Sequence, residues 1–340
     1  MKTMFILFAS LFCFMQSASA QGRRQWQPRE NVPLDSIVMS DPFVLADDAT
    51  KTYYMTGTGG MLWKSKDLAR WSGPYRVTEV DTTSWMGPRP MIWAAEIHKY
   101  HGKYYYFATF TNHAVKIDTV MGNVIERRAC HVLVSDKAEG PYRPIPGGDA
   151  TYLPADRPTL DASLWIEPDG KPYMIYCHEW LQNRNGTVEC IPLKPDFSGT
   201  TGDAKILFRA SDSPWSREST DEEHVRRPNM VTDGPWLFRT KTGRLGMLWT
   251  SWIGKTYTQG VAYSQSDRLE GPWIQEQHPI TPPNFGHGMM FRTFDGRLLM
   301  SIHSHSVSNR GQYVRHPCFF TLDDKGDKLK VGQQYHPKAK

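Results

Sequence analysis

The chain has 340 residues, with 40 Lys and Arg against 35 Asp and Glu for a net charge of +5. No Lys or Arg run gathers into a stripe, which argues against a nucleic-acid partner. About 320 residues beyond a cleavable leader suit one large domain of repeated sheets with a sizeable core.

In chain order, residues 1–20 read as a secretory signal peptide. Lys2 gives the charged start, residues 4–15 the apolar core, and Ala18-Ser19-Ala20 a cleavage site before Gln21. The apolar core is too short to span a bilayer. Cys13 lacks the small neighbours of a lipoprotein box, and nothing later is apolar enough to cross. The expectation is an exported protein, periplasmic or secreted, with no membrane span and with residues 21–340 forming one monomeric catalytic domain. Residues 21–31 are a polar lead-in.

One pattern then recurs five times, at 41–56, 93–109, 160–176, 233–251 and 288–301. Each copy is a short apolar strand, a polar turn with Gly or Asp, a Lys, Arg or Thr, and an aromatic or aliphatic strand. The central copy, LDASLWIEPDGKPYMIY, is the clearest, because Asp169-Gly170 supplies the positive φ angles of a tight turn. The copies are spaced by roughly 50 to 75 residues, the range of a four-stranded blade with variable loops. Trp-Ser-Gly-Pro-Tyr at 71–75, Glu-Gly-Pro-Tyr at 139–142 and Glu-Gly-Pro-Trp at 270–273 echo one another in outer strands. The predicted fold is all-β, a five-bladed β-propeller; unrelated hairpins in a β-sandwich are the alternative.

Between the copies, 81–89 and 211–227 read as loops at the rim of a pocket. Asn185-Gly186-Thr187 matches a glycosylation sequon, but Asn-Gly reads here as a hairpin turn. Cys130, Cys177, Cys190 and Cys318 lie beyond the leader. Cys177 and Cys190 are spaced to pair across 178–187, yet a domain of this size needs no staple, so free buried thiols are expected.

Asp41, Asp161 and Asp233 stand at or just before the first strand of three copies. Matching ends of inner propeller strands converge on one mouth of the channel. Three carboxylates in one pocket repel, which raises the proton affinity of at least one. That is the condition for a general acid and a general base at neutral pH. Singly, Asp-Pro at 41–42 and Asp-Gly at 233–234 are also ordinary turn pairs.

These residues carry a resemblance. Ser-Asp-Pro-Phe-Val around Asp41, Trp-Ala-Ala-Glu-Ile at 93–97, Leu-Asp-Ala-Ser-Leu-Trp around Asp161, Thr-Asp-Gly-Pro-Trp-Leu-Phe at 232–238 and Gly-His-Gly at 286–288 resemble glycoside hydrolase family 43. Members are five-bladed propellers that cleave arabinose- and xylose-containing glycans with inversion. The resemblance implies Asp41 as the base that activates water, Asp233 as the general acid, and Asp161 as the residue that tunes the acid. It further implies that His287 faces the channel and helps to hold calcium; a hydrogen-bonded core histidine is the alternative. The implied activity is an exo-acting α-L-arabinofuranosidase on an oligo- or polysaccharide. β-D-Xylosidase, galactofuranosidase and a catalytically weak glycan-binding propeller are the alternatives.

Two positions depart from the family pattern: Asp233 replaces the usual Glu, and Ala95 the usual Pro. The shorter acid raises the prospect that Glu179, Glu222 or Glu223 supplies the proton. For substrate contacts, Trp93 is expected as a sugar platform beside the acids. Glu96, Trp165 and Arg315 are candidates, with packing or ordinary ion pairs as their alternatives.

Overall fold

The computed structural model describes residues 27–220, 229–307 and 313–339. The expected leader at 1–20, and Glu222 and Glu223, lie outside the described residues.

Five antiparallel four-stranded sheets follow one another along the chain. Their innermost strands are Phe43–Asp47, Met91–Tyr100, Thr159–Ile166, Asp233–Arg239 and Phe285–Arg292. Each inner strand contacts the next, and the fifth packs back on the first, closing a ring. This is the expected five-bladed propeller. Arg29–Pro33 adds an extra outermost strand to blade 1. One parallel bridge, between Thr258 and Phe285, links the sheets of blades 4 and 5.

Strand alternation explains why these segments read as continuous apolar runs: both faces of each blade are buried. In Pro172–His178, Met174 and Tyr176 join Phe107 and Val132 in the core between blades 2 and 3. Ile175 and Cys177 point the other way, to Trp249 and Met247 of blade 4. The three Gly-Pro echoes lie in or just before the fourth strands of blades 1, 2 and 4, each with a cis Gly–Pro bond. All four described cysteines are free and buried.

Asn185-Gly186 does not form the tight turn that its sequence suggests. A helical turn, Trp180–Asn183, leads to Arg184 in the left-handed region, and Gly186 N–H bonds to the Met230 carbonyl. The loop is held by its neighbour in blade 4, not by its own turn chemistry.

One local device positions the site. In blades 2 to 5 the register of the inner strand jumps by a bulge: between Trp93 and Glu96, Leu160 and Ser163, Asp233 and Trp236, and Gly286 and Met289. The second residue of each bulge has positive φ: Ala94 43°, Asp161 60°, Gly234 50° and His287 53°. Asp41, with φ 57°, holds the same place in blade 1, where Ser40 pairs with Thr58. A bulge re-aims its side chain out of the pleat, and here those of Asp41, Asp161 and His287 are brought together near the axis.

Candidate active site

Where the inner strands begin, a cavity of about 350 Å³ is lined by Asp41, Asp161, Asp233, Trp93, Glu179, Trp180, Tyr257, His303 and Arg315, among others. A larger cavity of about 620 Å³ opens at the other end, among Phe43, Leu45, Ile166, Trp236 and Met290. The three aspartates belong to the first, so the chemistry lies there.

Asp41 and Asp161 occupy their bulges directly. Asp233 stands one residue earlier, before Gly234, so its register with the other two is offset by one. All three carboxylates still meet around His287. Its Nδ1 lies 3.1 Å from Asp41 Oδ1 and 3.0 Å from Asp233 Oδ1. Thr58 donates its hydroxyl to Asp41, and Tyr257 donates to Asp233. Gly234 N–H donates to Asp161 Oδ2 at 3.1 Å.

The protonation pattern follows from these partners. Burial pushes the Asp41 carboxyl up, but His287 and His303 outweigh it and leave it at about 2. Burial opposes the charge on Asp233 too, yet His287, Asp161 and Tyr257 stabilise it and hold its pKa below the carboxylate range. Asp161 moves the other way: burial and the charge of Asp233 raise it well above the usual value. Asp161 and Asp233 are best described as a pair sharing one proton. Burial would strip His287 of its proton, but the three aspartates hold the ring protonated. His303 is neutral, with burial pushing its pKa down to about 3. Its Nδ1 accepts the Asp41 N–H at 3.0 Å, which fixes the tautomer.

A cation beside His287 was the expectation. One ligand atom each from Asp161, Asp233 and His287 lie within 4.8 Å of one another. Calcium takes about six to eight oxygen ligands, whereas this set offers two carboxylates and one nitrogen. That nitrogen already bridges Asp41 and Asp233 as a proton donor. These residues would supply only part of calcium's shell, with water as the remainder, and a protonated His287 is the other way to place positive charge beside the acids.

The other candidates separate cleanly. Trp93 lines the cavity, with the Arg128 guanidinium 4.0 Å from its ring centre. Arg128 also pairs with buried Glu179, whose proton affinity is raised by burial against the pull of Arg128. Arg315 lines the cavity and donates from Nε to His305 Nδ1 at 3.1 Å.

Glu96 and Trp165 lie outside the cavity. Glu96 is buried and meets His98 Nε2 at 2.7 Å, because residues two apart share one strand face. Trp165 packs on the core between blades 3 and 4 under Arg239, and is a packing residue.

Tyr257, His303, Thr58 and Arg128 were missed in the sequence. His303 and His305 alternate in one strand and so share a face, which was a readable signal. Tyr257 sits in a third strand with no motif around it.

The model of glycosyl hydrolases family 43 matches residues 31–323. Among solved structures, the chain is similar to an endo-arabinase from Bacteroides thetaiotaomicron VPI-5482, at 32% identity over 88% of this chain and 99% of that one, with TM-score 0.74. A thermostable family-43 glycoside hydrolase matches at 20% identity over 92% and 98%, TM-score 0.70. An endo-1,4-beta-xylanase from the same Bacteroides strain matches at 20% over 92% and 99%, TM-score 0.67. A search of curated proteins finds no match. With five blades, a shared acidic cavity and a family match over most of its length, the chain belongs to glycosyl hydrolases family 43 and is a glycoside hydrolase.

Proposed function

We propose that the protein is an exported, inverting α-L-arabinofuranosidase that removes arabinose from the ends of plant glycans. One observation carries the mechanism: an ionised carboxylate, Asp41, and a proton-bearing pair, Asp161 with Asp233, share one cavity. Asp41 accepts the proton of a water that attacks the anomeric carbon. The Asp161–Asp233 pair gives its proton to the departing glycosidic oxygen, with Asp233 as the reaching member. The sugar carbon inverts because water enters opposite the leaving group. His287 keeps its proton throughout and balances the charge of the acids.

With Asp41 and Asp233 held on one nitrogen, their contacting oxygens are at most about 6 Å apart. Inversion uses about 6.5–9.5 Å. That bound concerns the inner oxygens alone, and the carboxyl groups behind them reach further apart, so the arrangement is compatible with a water between acid and base.

Arabinose is favoured by the 32%-identical endo-arabinase. Chain-end action is favoured by a cavity near the low end of the ~300–1,000 Å³ typical of ligand sites, with Trp93 as the platform for the terminal sugar. Export is favoured by the leader pattern at residues 1–20. The test is a screen of aryl arabinofuranosides, xylosides and galactofuranosides with the purified protein, followed by linear arabinan. Free arabinose as the first product supports the reading; oligosaccharides as first products replace chain-end by internal cleavage. Binding without hydrolysis on every sugar would make the protein a glycan-binding propeller.

A further inference from the structure

The five bulges are stitched blade to blade by one repeated hydrogen bond, and the repeat is broken once. Each bulge turns a backbone N–H toward the preceding blade. Ala94 donates to Thr58 Oγ1 at 3.0 Å, Asp161 to Thr109 Oγ1 at 2.9 Å, and His287 to Thr250 Oγ1 at 2.8 Å. Asp41 closes the ring by donating to His303 Nδ1 at 3.0 Å. The four acceptors hold one equivalent place, opposite the residue that precedes the bulge: Ser40, Trp93, Asp233 and Gly286.

The fifth such place, opposite Leu160, belongs to Cys177. Cys177 is wholly buried, and a thiol is a weak acceptor. The N–H of Gly234, which should bond there, turns to Asp161 Oδ2 instead.

We propose that Cys177 is a positioning residue for Asp161: by withholding the acceptor that the other four blades supply, it leaves the Gly234 N–H to anchor the Asp161 carboxyl against Asp233. This rests on the catalytic reading above. The Asp161 carboxyl faces Asp233 from blade 4, His287 from blade 5 and Asp41 from blade 1. Without the Gly234 N–H it would be held chiefly by its contact with another acid, and free to swing from the geometry that proton transfer needs. A threonine at 177 would restore the fivefold pattern, and its hydroxyl would recapture the N–H of Gly234.

Thr and Val have the same shape and differ in the hydroxyl, so they separate this role from packing. Cys177→Thr and Cys177→Val are compared with the parent, in the full chain, on nitrophenyl arabinofuranoside and on an arabino-oligosaccharide. Cys177→Val should keep kcat within about threefold, while Cys177→Thr should lose about tenfold in kcat with KM little changed, the scale of one hydrogen bond to the proton-sharing, singly charged Asp161–Asp233 pair. Cys177→Ser adds the acceptor without a methyl, and should lose kcat like Thr even if Thr destabilises the fold. Asp161→Asn is measured alongside. If it is inactive while Cys177→Ser and Cys177→Thr match Cys177→Val, the positioning role is overturned and the catalytic reading stands. If Asp161→Asn retains parent activity, the catalytic reading fails and takes this inference with it.

Discussion

Asp233 and Tyr257 are joined by a hydrogen bond from the phenol to the carboxylate, at the oxygen that does not meet His287. With His287 at 3.0 Å, this draws the residue that should deliver a proton toward groups that prefer it ionised. The proton it needs is kept next door, on Asp161. The resting site thus holds Asp41 and the Asp161–Asp233 pair around one imidazolium.

Asp41→Ala should abolish hydrolysis of natural and aryl glycosides alike, because water must be activated in both. A loss of about 10²–10⁴ in kcat is the scale of a missing general base. Equal activity of variant and parent on every sugar tested would make Asp41 a turn residue.

Asp233→Ala should cost far more on an arabino-oligosaccharide than on a nitrophenyl arabinofuranoside, whose leaving group departs with little protonation. Equal losses on the two would place the acid elsewhere, with Glu179 the next candidate inside the cavity. Asp233→Glu asks whether the backbone has adapted. The longer arm should lower kcat if His287 and Tyr257 are set for Asp, and raise it if the site has decayed from a longer acid.

Tyr257→Phe removes a donor that stabilises ionised Asp233, so the Asp161–Asp233 pair should bind its proton more tightly. Activity needs that proton, and the alkaline limb of kcat/KM should therefore move to higher pH, by up to about one unit. An unmoved limb would detach the pair from the pH profile.

His131 is buried among Trp85, Phe110 and Tyr152, and burial lowers its pKa to about 4. The folded state holds it neutral while the unfolded chain protonates it near 6.5. Its contribution is thus full above 6.5 and is lost as pH falls toward 4. His131→Phe should flatten the stability curve across that window by up to about 1.4 kcal/mol per pH unit. His303, shifted in the same direction, keeps the remaining slope from vanishing. Parallel urea-denaturation curves for parent and variant at pH 7 and 5 would refute the assignment.

Chelation by EDTA should leave kcat and melting temperature unchanged if imidazolium supplies the positive charge at the centre. A loss restored by calcium would reinstate the cation expected from the resemblance.

Much of this was legible in the chain. Five hairpins announce themselves because blades are local in sequence, and a Gly- or Asp-containing turn between apolar runs needs no tertiary information. The aspartates are legible because equivalent blade positions converge. What failed were side-chain destinations. Glu96 looked like a sugar ligand, but the strand period points it at His98. Trp165 looked like a platform, but lies under Arg239 in a blade interface. The one-residue offset of Asp233 depends on where the register slips, which no local residue announces. Tyr257 enters from a third strand, and only the closed ring brings it to Asp233.

That closed ring also orders events in time. Asp41 is made early, yet the histidines that meet it, His287 and His303, come 246 and 262 residues later. The segment before it is fastened to the last blade as well, by Met39 N–H to the Arg315 carbonyl and by His316 to the Ile37 carbonyl. Contacts of such long sequence separation form late. A chain lacking its final blade would carry all three cavity aspartates and should still be silent, so the appearance of activity should report that the first and last blades have met.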